Sequence, residues 1–209
     1  MKFVDVIEAL SGLYERLQPF KDAFYVKLVT HPPASNDAIE QFARAYPQAL
    51  TPALRDTWQT HESVTFEWFL KAKGASAAGI DSRLAPNGQL VLFSPETALK
   101  EARFLEELGG VTADEMTLVP IGRLNPNGEF VALDTAVDEP TVVLVILDLI
   151  LTVLPLAPSL DAWYAQRVQT YFEDSTLDPS AEISPTLQTI IQCLGGRRAT
   201  WPPKVKHNW

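Results

Sequence analysis

A single cysteine, Cys193, occurs in the 209 residues, so no disulfide can form within the chain. That suits a reducing compartment, and the expected location is cytoplasmic. Cys193 sits in the apolar run "TIIQCL", without the neighbouring cations that lower a thiol pKa, and is expected to pack as a small hydrophobe. Histidine is almost as scarce. His31, His61 and His207 have no second His, Cys or Asp at ligand spacing, so a zinc site has no support. Neither a Gly-x-Ser-x-Gly elbow nor a Gly-x4-Gly-Lys-Ser/Thr phosphate loop occurs. "DSTLDPSAE" (174–182) looks superficially like a calcium loop, yet it lacks alternate-position ligands and the central glycine. No metal and no cofactor is expected.

Positive charge is also short. Seventeen Lys and Arg stand against 26 Asp and Glu, a net charge of −9. An acidic surface repels phosphates and anionic lipid, so neither nucleic acid nor a membrane surface is an expected partner. The acidity either keeps the chain soluble or draws a basic protein. Long hydrophobic runs are missing too. "TVVLVILDLILTVLPLAP" (141–158) is broken by Asp148 and closed by Pro155 and Pro158, and its β-branched content predicts a buried strand over 141–154. At the N-terminus, Asp5 and Glu8 interrupt what a signal peptide would keep apolar.

Proline is plentiful, with 16 copies, and predicts short elements with sharp ends. Hydrophobic residues make up 46% and charged residues 21%, an ordinary globular composition. Phe3, Ile7, Leu10, Leu13, Leu17, Phe20, Phe24 and Leu28 recur at spacings of three and four, which predicts one amphipathic helix up to "THPPAS". Asn36 or Asp37 caps a second helix bearing Ile39, Phe42 and Tyr46. Thr51 and Pro52 open a third, with Leu54 and Trp58 on one face. Val64, Phe66, Trp68 and Leu70 alternate with polar residues and predict a strand. Phe69 falls on the face opposite Trp68, where it is either covered or open to a partner. "KGASAAG" (73–79) reads as a flexible loop. Ser94, Pro95 and Gly109 punctuate another helix, strands follow near 116–122 and 129–134, and Ser159 caps a helix burying Leu160, Trp163, Tyr164, Val168 and Tyr171 or Phe172. Helices, strands with one inserted helix, then a helix predict an α+β fold with a mostly antiparallel sheet.

Pro-Asn-Gly appears twice, in "RLAPNGQLVLF" (83–93) and "RLNPNGEFVAL" (123–133). Asn-Gly supplies the positive-φ positions of a tight hairpin, so each copy predicts a turn. The flanking helices do not repeat, so this is shared turn chemistry rather than a duplicated loop. Adjacent carboxylates at Asp114-Glu115, Asp138-Glu139 and Glu173-Asp174 read as solvated element ends. Residues 175–209 hold four Lys/Arg and two Asp/Glu, net +2, which leaves −9 − 2 = −11 on residues 1–174. The basic tail either folds back onto the acidic body or stands free as an arm.

Two segments carry a family resemblance. "IEQFARAYPQALTPALRDTWQTHESVTFEW" (39–68) resembles the opening of the SMI1/KNR4 family of the SUKH superfamily: helix, Leu-x-Pro step, helix, then a strand. Ile39, Phe42, Tyr46, Leu50, Pro52, Leu54 and Trp58 carry it. "MTLVPIGRLNPNGEFVALDT" (116–135) is similar to the family's strand–turn–strand, through Val119, Pro120, Ile121, Gly122, Gly128, Glu129, Phe130, Leu133 and Asp134. "PTVVLVILD" and "APSLDAWYAQRVQTYF" fit its ending. One departure is "THES" (60–63), where the family usually has a glycine turn. The resemblance implies a SUKH-like domain over 31–174; an N-terminal amphipathic helix over 1–30 and a C-terminal extension over 175–209, with a short helix and a basic tail, lie outside its pattern.

It further implies a non-catalytic protein-binding role. Many bacterial members look like immunity proteins that neutralise polymorphic toxins, often nucleases or deaminases, and fungal members serve as regulatory hubs. A basic toxin domain is therefore the expected partner, and a regulatory adaptor is the alternative. Glu62, Trp68, Glu129 and Asp134 are the candidate partner-binding residues. Asp134 in "LDT" also suits a turn acceptor, and Glu129 a cross-hairpin pair. A hydrolase using Glu129 or Asp134 is the minor enzymatic alternative; no catalytic residue is otherwise expected.

Overall fold

The computed structural model describes residues 1–80, 85–109, 117–124, 129–147, 151–170, 172 and 190–191. Outside them lie Asn127-Gly128, Asp114-Glu115, Tyr171, Glu173-Asp174, Cys193, His207 and nearly all of the tail over 175–209. Ile190 and Ile191 are helical and buried.

The first helix is shorter than expected. α1 (Phe3–Leu17) buries Phe3, Val6, Leu10, Leu13 and Leu17, and a 3-10 turn over Gln18–Phe20 follows. Pro19 has no N–H to continue the α-helical ladder. The chain then enters strand β1 (Phe24–Thr30). Phe20, Phe24 and Leu28 are four apart, an even spacing that fits a strand as well as a helix. Residues 1–30 are therefore not a separate helix: β1 pairs with β2 (Val64–Leu70) along its whole length, from Phe24↔Leu70 to Thr30↔Val64.

Four side-chain caps start helices. Ser35 Oγ, rather than Asn36 or Asp37, accepts from the Ala38 N–H at 3.1 Å and opens α2 (Asn36–Ala45). Thr51 caps α3 (Pro52–Thr60) at 3.2 Å, with Pro52 first, as expected. "KGASAAG" is no loop. Its alanines favour helix, and α4 (Ala72–Ala78) ends at Gly79, whose φ of 75° is the left-handed cap. Ser94 caps α5 (Pro95–Gly109) at 3.1 Å and Ser159 caps α6 (Leu160–Gln169) at 3.2 Å.

The remaining strands among the described residues are β3 (Asn87–Leu92), β4 (Leu118–Arg123), β5 (Glu129–Asp134), β6 (Thr141–Leu147) and β7 (Leu151–Ala157). All seven form one sheet in sequence order, each neighbour antiparallel. The fold is α+β with a mostly antiparallel sheet. The apolar run after Pro140 is two strands rather than one, with Leu147 opposite Leu151. β6 buries Val142–Val145, while β7 is exposed from Leu151 to Pro155.

The first Pro-Asn-Gly is not a hairpin turn. Asn87 and Gly88 lie inside β3, opposite Phe69 and Trp68. Gly88 is required by close approach: a Cβ there would sit 2.2 Å from the Phe172 carbonyl oxygen and 2.5 Å from Trp68 Nε1. The join between β3 and β4 is narrow. Among the described residues, Val91↔Arg123 and Leu92↔Gly122 pair, next to an irregularity between Pro120 and Gly122.

α1, α3 and α6 pack on one another, α2 packs on α5, and α5 on β4. Trp58 of α3 is fully buried, edge-on to Phe42 of α2 at 4.7 Å, and its Nε1 donates to the Phe93 carbonyl at 2.8 Å.

Candidate interaction surfaces

Strand alternation decides what β2 presents. Val64, Phe66, Trp68 and Leu70 face the core and Phe69 faces out. Trp68 is 1% exposed and meets Phe24 edge-on at 6.3 Å. It cannot touch a partner in the folded chain, so its expected contact role is corrected to core packing. Its neighbour takes the surface position. Phe69 is 44% exposed and stacks on Tyr25 of β1 at 4.8 Å and 18°. Lys27 lies opposite Glu67 in register beside this pair, and Val29 is exposed further along β1.

Glu62 lies in the short connection between α3 and β2, and its N–H donates to the Pro32 carbonyl at 2.8 Å. His61 Nδ1 donates to the His31 carbonyl at 2.8 Å, and Ser63 Oγ shares a hydrogen bond with His31 Nδ1 at 2.8 Å. These bonds fasten 61–63 to the chain leaving β1. His61 is extended, with φ −146° and ψ 130°, so "THES" turns the chain without a glycine.

Asp134 ends β5, and its Oδ1 accepts from the Ala136 N–H at 3.0 Å. It acts as a turn acceptor, beside exposed Val137, Asp138 and Glu139. Glu129 begins the same strand, half-buried and opposite Ile146. The four expected residues do not converge. Three strand spacings separate the strands nearest Glu62 and Asp134, about 14 Å, and the length of β5 holds Glu129 about 17 Å from Asp134. Asp138 and Glu139, adjacent in sequence and both exposed, lie in the β5–β6 connection.

Other polar groups serve packing. The Arg123 guanidinium lies 5.0 Å over Phe130 and 5.7 Å over Phe93, and pairs with Glu101 of α5 at 3.0 Å. The Tyr46 hydroxyl donates to Glu106 and joins α2 to α5. Burial first, then Glu106, pushes the Tyr46 pKa up. Burial does the same to Tyr164, which shares a 2.9 Å hydrogen bond with Thr57 Oγ1. Both phenols therefore stay protonated.

Arg167 is a position that sequence reasoning missed. It is 1% exposed, and its guanidinium donates to the carbonyls of Gln89, at 2.6 Å, and Phe172, at 2.5 Å. Phe172, at φ 60°, donates its N–H back to the Arg167 carbonyl at 2.7 Å and packs its ring on Phe66 at 5.6 Å. The signal was available, because Leu160, Trp163, Tyr164 and Arg167 share one helical face. Arg167→Met should lower stability by about 2 kcal/mol, since the Gln89 carbonyl loses its charged donor in the interior. A urea melt reads this directly.

Among the described residues, no group of three His, Cys, Asp or Glu could hold a metal ion, and no helix is long and apolar enough to cross a membrane. No family model matches the chain, and no curated protein or solved structure matches it significantly.

Proposed function

We propose that this chain is a non-catalytic protein-binding domain of the SUKH type, an immunity protein that neutralises a basic, nuclease-type toxin in the cytoplasm. The charge carries the reading: residues 1–174 hold a net −11. A nuclease must present a basic groove to phosphates, and an acidic protein can fill that groove with fast, steered association. The α+β architecture is of the class that the resemblance implies. Asp138 and Glu139 are exposed at the end of the sheet, beside exposed Val137, and supply the carboxylates for such a contact.

The test is co-expression with a basic nuclease-type toxin domain, taken from the neighbouring gene if that gene encodes one, followed by affinity capture at low and moderate salt. Protection and a complex whose association slows steeply with salt are expected. Asp138→Lys with Glu139→Lys should slow association about tenfold while leaving the fold intact. Failure of the toxin domain to co-purify at low salt would refute the reading. The Tyr25–Phe69 pair favours a second one, a regulatory adaptor that recognises an apolar partner. Phe69→Ala would then weaken capture of that partner and leave its salt dependence unchanged.

A further inference from the structure

The outer edge of β3 is shared between two parts of the chain. Val91 and Leu92 pair with Arg123 and Gly122 of β4. Two residues before Val91, the backbone of Gln89 turns to the end of α6 instead. Its N–H donates to the Phe172 carbonyl at 3.0 Å, and its carbonyl accepts from the Arg167 guanidinium at 2.6 Å. Bonding sides alternate along an antiparallel strand, so the Gly88 and Leu90 N–H groups face the other way, towards β2. The Leu70 N–H, which donates to the Pro86 carbonyl at 3.2 Å, follows the same alternation. Phe172 is held in a costly conformation. Among the described residues it is the one non-glycine residue at positive φ, 60°. The left-handed region costs a phenylalanine free energy that its contacts must offset. What offsets it is a clasp: the Phe172 N–H on the Arg167 carbonyl, the bonds at Gln89, and the ring against Phe66 at 5.6 Å.

We propose that Phe172 and Arg167 form a latch beside the β3–β4 join, and that it opens as a unit while the β1–β2 and β2–β3 ladders stay paired. Both bonds at Gln89 come from one place, the last turn of α6 and the chain just after it. Lifting that end breaks them together. It also releases Phe172 from φ 60°, so the backbone strain favours the open form. No β2–β3 bond has to break, because those N–H groups lie on the other side of β3. What the latch covers is a piece of strand edge, the N–H and C=O of Gln89, together with one side of the Phe66 ring. Exposed strand edges pair with extended chain, and closing the latch withholds this one.

Native-state hydrogen exchange of the full chain at a series of low urea concentrations tests this. After correction for intrinsic rates, the Gln89 and Phe172 amides should exchange at least about tenfold faster than those of Gly88 and Leu90. The two should share one shallow urea dependence, because the opening exposes little surface, while Gly88 and Leu90 follow the steep dependence of global unfolding. Phe172→Ala removes the ring contact and should speed exchange at Gln89 by at least about a hundredfold. Its circular dichroism should be unchanged, and Gly88 and Leu90 should stay protected. Three results would each overturn the proposal. Gln89 could share the steep urea dependence of Gly88 and Leu90. The Phe172 amide could exchange without Gln89, which is fraying of α6 alone. Phe172→Ala could fail to fold, which would make the contact part of the core.

Discussion

Trp58→Ala should destabilise the chain by about 3–5 kcal/mol, the range for removing a large buried aromatic. The side chain is fully buried, so its loss leaves a cavity where α2, α3 and the end of β3 meet. Three effects add. Phe42 loses the edge-on partner at 4.7 Å. The Phe93 carbonyl loses the indole N–H at 2.8 Å and is left buried without that donor. The transfer free energy of the indole is also lost. Trp58→Phe separates these effects, because it keeps most of the volume and removes only the hydrogen bond. It should cost about 1–2 kcal/mol. Urea denaturation with a constant slope measures both. If Trp58→Ala cost less than about 1.5 kcal/mol, Trp58 would not organise this junction.

Local chemistry was legible in the sequence. Thr51, Ser94 and Ser159 cap the helices they were expected to cap, because a cap needs only the three residues that follow it. Alternation in β2 was equally readable, and it correctly set Trp68 and Phe69 on opposite faces. The errors came where long-range pairing decides. Phe24 and Leu28 satisfied a helical spacing and a strand spacing together, and only pairing with β2 selects the strand. Asn87-Gly88 carries the dipeptide of a tight turn. The approach of Phe172 makes that glycine necessary for a different reason. The surface was least legible, since exposure depends on what the rest of the chain covers. An indole suits a protein contact, yet Trp68 lies on the inner, core face of β2, and Phe69 holds the exposed position.

Gly122→Ala should cost about 3 kcal/mol, the upper end of what overpacking costs, because the obstacle is main chain. A Cβ at Gly122 would lie 2.1 Å from the Val91 carbonyl oxygen. A side chain in that place could rotate away, whereas Val91 is held in β3 between β2 and β4. Relief requires the strands to separate, and among the described residues β3 and β4 share the pairs Val91↔Arg123 and Leu92↔Gly122. Moving Gly122 disturbs one directly and the other through its neighbour. The Phe93 N–H bond to the Ile121 carbonyl, 2.9 Å, adjoins the same seam and should loosen with it. Native-state hydrogen exchange should then show Leu92 and Phe93 losing protection while the β1–β2 amides keep theirs. Gly79→Ala is the control. Gly79 is at φ 75° with nothing within 4 Å of where a Cβ would stand, so alanine there carries backbone strain alone, about 1–2 kcal/mol. Equal losses at Gly79 and Gly122 would mean that the seam can relax, and that the glycine after Ile121 is there for backbone freedom rather than for the approach of β3 to β4.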